Sequence, residues 1–161
     1  MIVILMGVSG AGKSTVGRRL AQELGWPFHD ADDLHPPANV AKMRAGVPLD
    51  DADREPWLQR VRTLVAAAAG RGEPAVMACS ALKRRFREKL ADGIPEVRFV
   101  HLIGAPGALR ERLATRPDHF MPEALLDSQL RALEPPADAL EVDAQQPVDA
   151  IVSCIRSRLA L

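Results

Sequence analysis

The sequence predicts an α/β fold: five parallel strands with helices on both faces of the sheet. Three observations carry this. Short apolar runs alternate with stretches of helical periodicity, the pattern of parallel strands joined by right-handed crossovers. The first run, Ile2 to Met6, leads directly into a glycine-rich stretch and then a helix. The 161 residues suit a single domain, spanning 1–161, with a substantial core.

Each element has its own justification. The run Ile2 to Met6 is read as a buried strand because glycines follow it. A helix is expected from Lys13, since Val16, Leu20 and Leu24 recur at four-residue spacing and Gly25 stands at the stop position. Pro27 to Asp30 can form a second strand. Residues 36–72 read as largely helical, with Trp57, Val61, Leu64 and Val65 on one face and Gly70 and Gly72 at the end. Ala75 to Cys79 is a third strand and Leu82 to Leu90 a charged helix. Val97 to Ile103 is a fourth strand, followed by a helix over Pro106 to Ala114. Residues 115–136 read as helical with proline interruptions. Leu140 to Val142 is the last strand and Val148 to Leu159 the closing helix.

Composition narrows the function classes. Lysine plus arginine and aspartate plus glutamate each number 21, so the formal net charge is zero. Overall charge therefore gives no sign of a nucleic-acid surface. Two cysteines, Cys79 and Cys154, stand far apart and make neither a disulfide framework nor a zinc pattern. A reducing cytoplasm is the expected location. The apolar run at residues 2–6 is too short to span a membrane and lacks the features of a signal peptide.

The stretch Gly7-Val8-Ser9-Gly10-Ala11-Gly12-Lys13-Ser14 matches the phosphate-binding pattern G-x-x-x-x-G-K-[ST] in full. Glycines let successive backbone N–H groups point inward at phosphate oxygens, and the following helix adds its positive end. ATP is the expected ligand, held by Gly7, Ser9, Gly10, Ala11, Gly12, Lys13, Ser14 and Thr15. Lys13 is expected to reach the β- and γ-phosphates and the Ser14 hydroxyl to ligate Mg²⁺. The alternative is a chance glycine-rich turn, but a strand before and a helix after give the motif its required context. No Asn-Lys-x-Asp sequence follows a later strand to read guanine.

The middle of the chain is more specific. Asp30-Ala31-Asp32-Asp33-Leu34-His35-Pro36 is followed by Asn39, Lys42-Met43 and Gly46-Val47-Pro48-Leu49. Then come Asp51-Ala52-Asp53-Arg54-Glu55-Pro56-Trp57-Leu58 and later Cys79-Ser80-Ala81-Leu82-Lys83. Together with Gly104, Arg112, Arg116, His119-Phe120-Met121, Ser128-Gln129, Leu133-Glu134 and Pro136, nearly the whole chain resembles the gluconokinase family. It departs at Ala31, where that family usually has glycine, and at Pro117-Asp118, where Lys-Gly is common.

The resemblance implies ATP-dependent phosphorylation of gluconate at its 6-hydroxyl, strand order 2-3-1-4-5, and a homodimer. It also implies an acceptor-binding helical segment over about 33–72 and a lid over about 115–136. Shikimate, another sugar acid or a nucleoside monophosphate remains the rival acceptor, and a switch protein without an acceptor the rival class.

Phosphoryl transfer needs a carboxylate beside the attacking hydroxyl, and Asp32, at the end of strand two, is the candidate. Asp30 can instead hold a Mg²⁺-bound water; either aspartate could merely cap the helix after Pro36. Arg54 suits the acceptor's carboxylate, with a surface ion pair as the alternative. His35 is expected either to contact a substrate hydroxyl or to serve as a structural donor. Ser80 and Lys83 follow a strand end, where open α/β sheets bind ligands, although Lys83 could be a solvated helix lysine. Trp57 and Met43 read as core. Arg112 and Arg116 share a helix face. By resemblance Arg112 packs on adenine, Arg116 stabilises transition-state charge, His119 belongs to the lid, and Gln145-Gln146-Pro147 presents backbone to adenine.

Overall fold

The computed structural model describes residues 1–115 and 124–161. Its strands are β1 (Ile2–Met6), β2 (Phe28–Asp30), β3 (Ala75–Ala78), β4 (Val97–Ile103) and β5 (Leu140–Asp143). They form one sheet in the order β2-β3-β1-β4-β5, with every pairing parallel. The expected class, strand count and order are all found. Leu5 lies in register with Ala78 on one side and Val100 on the other, so neighbouring strands finish along a common edge. Ligands of open parallel sheets sit outside that carboxyl edge.

The helices are α1 (Lys13–Leu24), α2 (Pro37–Arg44), α3 (Asp51–Gly70), α4 (Arg84–Ala91), α5 (Pro106–Ala114), α6 (Ala124–Ala132) and α7 (Val148–Leu159). Side chains alternate across a strand, so β1 serves both faces of the sheet. Val3 and Leu5 join one core with Val16 and Leu20 of α1 and Ile151 and Ile155 of α7. Ile2, Ile4 and Met6 join the other with Trp57, Val61 and Val65 of α3 and Phe86 and Leu90 of α4.

Local chemistry explains the boundaries. Gly25 ends α1 at φ +67°, its N–H donating back toward Ala21 and Gln22 as the stop position implied. Gly17, inside α1, lets that helix approach the sheet: a Cβ there would lie 2.5 Å from the Phe28 ring. A capping box starts α3. The Asp50 carboxylate accepts from Asp53 N at 2.7 Å, and the Asp53 carboxylate accepts from Asp50 N at 3.0 Å.

Three expectations are corrected. The stretch 36–72 is two helices separated by residues 45–50, where Gly46 takes φ +73° and Asp50 caps anew. The charged helix starts at Arg84 rather than Leu82, because Lys83 is extended at φ −93° and ψ 143° and serves as its N-cap, after a turn at Ala81 with φ +43°. Of 115–136, residues 133–136 leave the helix with Pro135 and Pro136. Residues 116–123 lie outside the described residues. A 3-10 turn over Ala31–Leu34, not expected, joins β2 to α2.

Candidate active site

Beyond β1 the chain wraps through Gly7 to Ser14 into α1. The loop closes tightly against α5: Gly10 sits at φ +84°, and a Cβ there would be 2.9 Å from the Leu109 carbonyl oxygen. Lys13 Nζ donates to the Val8 carbonyl at 3.0 Å, folding over the loop. Ser14 Oγ donates to Asp30 Oδ2 at 2.5 Å. The strand order produces this contact, since β2 and β1 flank β3 and present both residues at the same edge. A hydroxyl beside a carboxylate is a hard-oxygen donor pair, the chemistry Mg²⁺ prefers. Among the described residues, no group of three or more His, Cys, Asp or Glu gathers to form a separate metal cage.

Beside the loop lies a cavity walled by Ala11, Gly12 and Thr15 and, across from them, Arg112, Ala144 and Gln146. The Arg112 guanidinium donates to the Gly10 carbonyl at 3.4 Å and to the Ala144 carbonyl at 2.6 Å. It therefore spans the phosphate loop and the segment after β5. Gln146 brings the expected 145–147 loop to the same cavity.

A second cavity holds Asp32, His35, Arg54, Ser80 and Lys83 together, so all five proposed acceptor-side residues meet. It adjoins the phosphate loop. Gly7 N donates to the Ser80 carbonyl at 3.4 Å, and Ser9 N donates to Oε1 of Gln129, a cavity-wall residue, at 2.7 Å. Met43 and Trp57 are buried as expected of core, and each also forms part of the wall.

Asp30 and Asp32 separate cleanly. Asp30 Oδ1 accepts from Asp32 N at 3.1 Å, so Asp30 caps the short 3-10 turn while its other oxygen meets Ser14. Neither aspartate caps α2, whose first turn has no side-chain cap. Asp32 lines the cavity, its Oδ1 3.9 Å from His35 Nε2. The buried Cys79 thiol is pushed up to about 12, first by burial and then by Asp32, with Lys13 and Asp30 also acting on it. A thiol held in this way is unsuited to nucleophilic chemistry.

His35 has a defined tautomer. Its ring stacks on Trp57, centroids 4.7 Å apart and planes 9° from parallel, and its side chain is only 5% exposed. Burial first and the neighbouring Arg54 second lower its pKa to about 4. Asn39 Nδ2 donates to the Asp53 carbonyl at 2.8 Å and lies 3.3 Å from His35 Nδ1. A carbonyl can only accept, so the amide nitrogen is fixed there and its second N–H makes Nδ1 an acceptor. The proton then sits on Nε2, which faces Asp32 Oδ1 at 3.9 Å.

Arg54 is not an ordinary surface pair. Its side chain is 18% exposed and lies 3.7 Å from Asp51. Desolvation pulls its pKa down, opposed by Asp51. Asp53 is engaged elsewhere, accepting from Lys42 Nζ at 2.8 and 2.9 Å. Lys83 Nζ donates to Asp51 at 3.0 Å, and Arg85 also pairs with that carboxylate. Lys83 is therefore fixed at the cavity rather than free in solvent.

Two second-line supports escaped the sequence reading. Trp57 Nε1 donates to the Ala31 carbonyl at 2.7 Å, pinning the turn that carries Asp32. Buried Arg87 donates to the carbonyls of Ala81 and Leu82, both at 3.0 Å, and of Glu134 at 2.9 Å. It fixes the turned-out segment between Ser80 and Lys83. Neither bond has a sequence signal, because each depends on which backbone carbonyl a distant side chain meets. Ala31 fits where glycine is usual because its backbone needs no positive φ and its methyl is buried in the core. Arg116 and His119 lie outside the described residues.

Comparison with known proteins gives the family and the fold. A family profile described as an AAA domain matches residues 2–136. The chain is 47% identical to the gluconokinase of Gluconobacter oxydans over 154 residues, covering 93% of this chain and 86% of that protein. It is 40% identical to the thermosensitive gluconokinase of Escherichia coli over 163 residues, covering 98% and 87%. The crystal structure of a gluconokinase from Sinorhizobium meliloti superposes with a TM-score of 0.84 at 45% identity, covering 98% and 92%. Shikimate kinase from Aquifex aeolicus, at 19% identity and a TM-score of 0.64 over 99% of this chain and 96% of that one, shares the fold.

Proposed function

The chain belongs to the gluconokinase family, and from that membership we propose that it transfers the γ-phosphoryl group of ATP to the 6-hydroxyl of D-gluconate, giving ADP and 6-phospho-D-gluconate. The observation that carries this reading is a single cavity that joins Asp32, Arg54 and Lys83 next to the phosphate loop. An anionic polyol needs cations for its carboxylate and mixed donors and acceptors for its hydroxyls.

Arg54 and Lys83 hold the gluconate carboxylate, the guanidinium fork supplying direction and the ammonium charge. The His35 Nε2–H and the Ser80 hydroxyl address the sugar hydroxyls. Asp32 orients the 6-hydroxyl and takes its proton as that oxygen bonds to the γ-phosphorus. The bond from the γ-phosphorus to the β–γ bridging oxygen breaks, and ADP leaves with that electron pair. Lys13 and the phosphate loop that runs into α1 hold the phosphates, while the Gly7 and Ser9 amides are bonded to Ser80 and Gln129 and shape that loop. Ser14, and Asp30 through water, would hold Mg²⁺, which when bound neutralises phosphate charge. Arg112 lies against adenine with the 145–147 loop. Arg116 supplies transition-state charge, and closure of the lid over 115–136, His119 included, excludes water.

We place the enzyme in the cytoplasm as a homodimer acting on small molecules, with neither nucleic acid nor membrane as partner. The unpaired thiols of Cys79 and Cys154 and the balanced charge support this setting. No helix among the described residues is long and apolar enough to cross a membrane. Sedimentation at twice the 17.5 kDa chain mass would establish the dimer.

Product identification tests the activity. Incubation with Mg·ATP and gluconate should give 6-phosphogluconate, with shikimate, other sugar acids and nucleoside monophosphates turned over far more slowly. Nucleotide binding without transfer to gluconate would favour a switch protein, and preferred transfer to another acceptor would reassign the substrate.

A further inference from the structure

Besides the backbone bond from Gly7 to Ser80, one side chain ties the acceptor cavity to the phosphate loop. Gln129, on α6, is 9% exposed and lines the acceptor cavity. Its Oε1 accepts from the Ser9 amide at 2.7 Å, across 120 residues of sequence. Ser9 lies in the phosphate loop itself, three residues after β1. The helix bearing Gln129 is fixed at its far end as well. Glu134 N donates to the Leu82 carbonyl at 2.9 Å, and the Glu134 carboxylate accepts from Arg84 N at 2.6 Å. Buried Arg87 adds its bond to the Glu134 carbonyl. The tail of α6 is thereby joined to the start of α4, where Lys83 and Phe86 form the opposing cavity wall. Leu125 of α6 packs with Met43 and Leu49 of the acceptor segment.

A molecule in the acceptor cavity would therefore press on a helix whose position is reported to the phosphate loop through the directed hydrogen bond from Ser9 to Gln129. Packing contacts are adaptable, whereas a buried amide must keep a partner, and leaving it without one carries a large penalty. We propose that Gln129 is a positioning residue that couples acceptor occupancy to the phosphate loop by setting the orientation of the Ser9 amide. Transfer to gluconate is thus favoured over transfer to water. This rests on the kinase reading above and deepens it. Gln129 carries no proton and forms no bond to the transferred group; it acts through Ser9.

The test compares ADP formation with and without gluconate at saturating Mg·ATP. The wild-type chain should release ADP much faster with gluconate present; absence of that stimulation would overturn the kinase reading itself. Gln129→Met keeps the side-chain length and removes the acceptor oxygen, and Gln129→Glu keeps an oxygen facing Ser9. For Q129M we expect the stimulation to fall at least about tenfold, with KM for ATP changed less than about threefold, as one oriented hydrogen bond allows. Acceptor-free hydrolysis should be unchanged or raised. Q129E should keep the stimulation within about threefold of wild type. Melting within about 5 °C of wild type would show that both variants are folded. The inference fails if Q129M keeps full stimulation, if it loses stimulated and acceptor-free rates together, if it does not fold, or if Q129E behaves like Q129M.

Discussion

Arg54 and His35 show how burial changes what a residue can do. A half-sheltered guanidinium with one loose partner is prepared for a carboxylate, and a charged hydrogen bond of this kind contributes about 1.5–3 kcal/mol. Arg54→Ala should therefore raise KM for gluconate about 10- to 100-fold and leave KM for ATP within about threefold. Equal rises in both would remove Arg54 from the acceptor side. His35 titrates near 4 in the fold against 6.5 when free. Its neutral form is the one the fold accepts, so the unfolded chain binds the extra proton first. Stability from this group is fully present above pH 6.5 and is lost as pH falls from there through about 4. The shift corresponds to about 3 kcal/mol. In melting curves across pH 4–7, wild type should lose about 10 °C more than His35→Gln, which cannot titrate. Parallel curves would contradict the assigned pKa. The residue types at these positions were readable from the sequence. The His35 tautomer was not, because it depends on Asn39 meeting the Asp53 carbonyl, 14 residues away.

At the level of elements, strands and the phosphate loop were legible because their signals are local: apolar runs, glycines and a fixed motif. The acceptor segment was legible as residues and as largely helical, but its division into two helices was not. Its break at 45–50 depends on Gly46 and on the Asp50–Asp53 capping box, which helical periodicity does not register. That box starts the turn from which Arg54 projects. Asp50→Ala should cost about 1 kcal/mol, or about 2–4 °C in melting temperature, and raise KM for gluconate roughly threefold with KM for ATP unchanged. A melting loss with no kinetic effect would mean the turn holds its shape without its cap. The start of α4 was misplaced for a related reason: Ala81 leaves helical geometry and Arg87 stabilises the departure from inside the fold.

For the molecule as a whole, the two proposed ligand sites lie along one edge of a single sheet but draw on different parts of it. Each ligand, added alone, should stabilise the fold by mass action, by about 2.7 kcal/mol at a hundredfold excess over Kd. Lys13→Ala should abolish phosphoryl transfer and most of the thermal shift caused by ATP, while the shift caused by gluconate persists. Loss of both shifts together, or a ligand-free melting temperature lowered by more than about 5 °C, would make Lys13 a structural residue.

The place of β1 has a longer consequence. It runs through the middle of the sheet, hydrogen-bonded on both sides and buried along its length, and it delivers the phosphate loop directly. Changing that loop's footing would mean unzipping the interior. The parts proposed to choose the acceptor hang from the rim: a 3-10 turn, two helices and a short connection. Heritable change can rework the rim while the centre goes on gripping the nucleotide. A chassis divided in this way can exchange one small acceptor for another without relearning how to hold its phosphate donor.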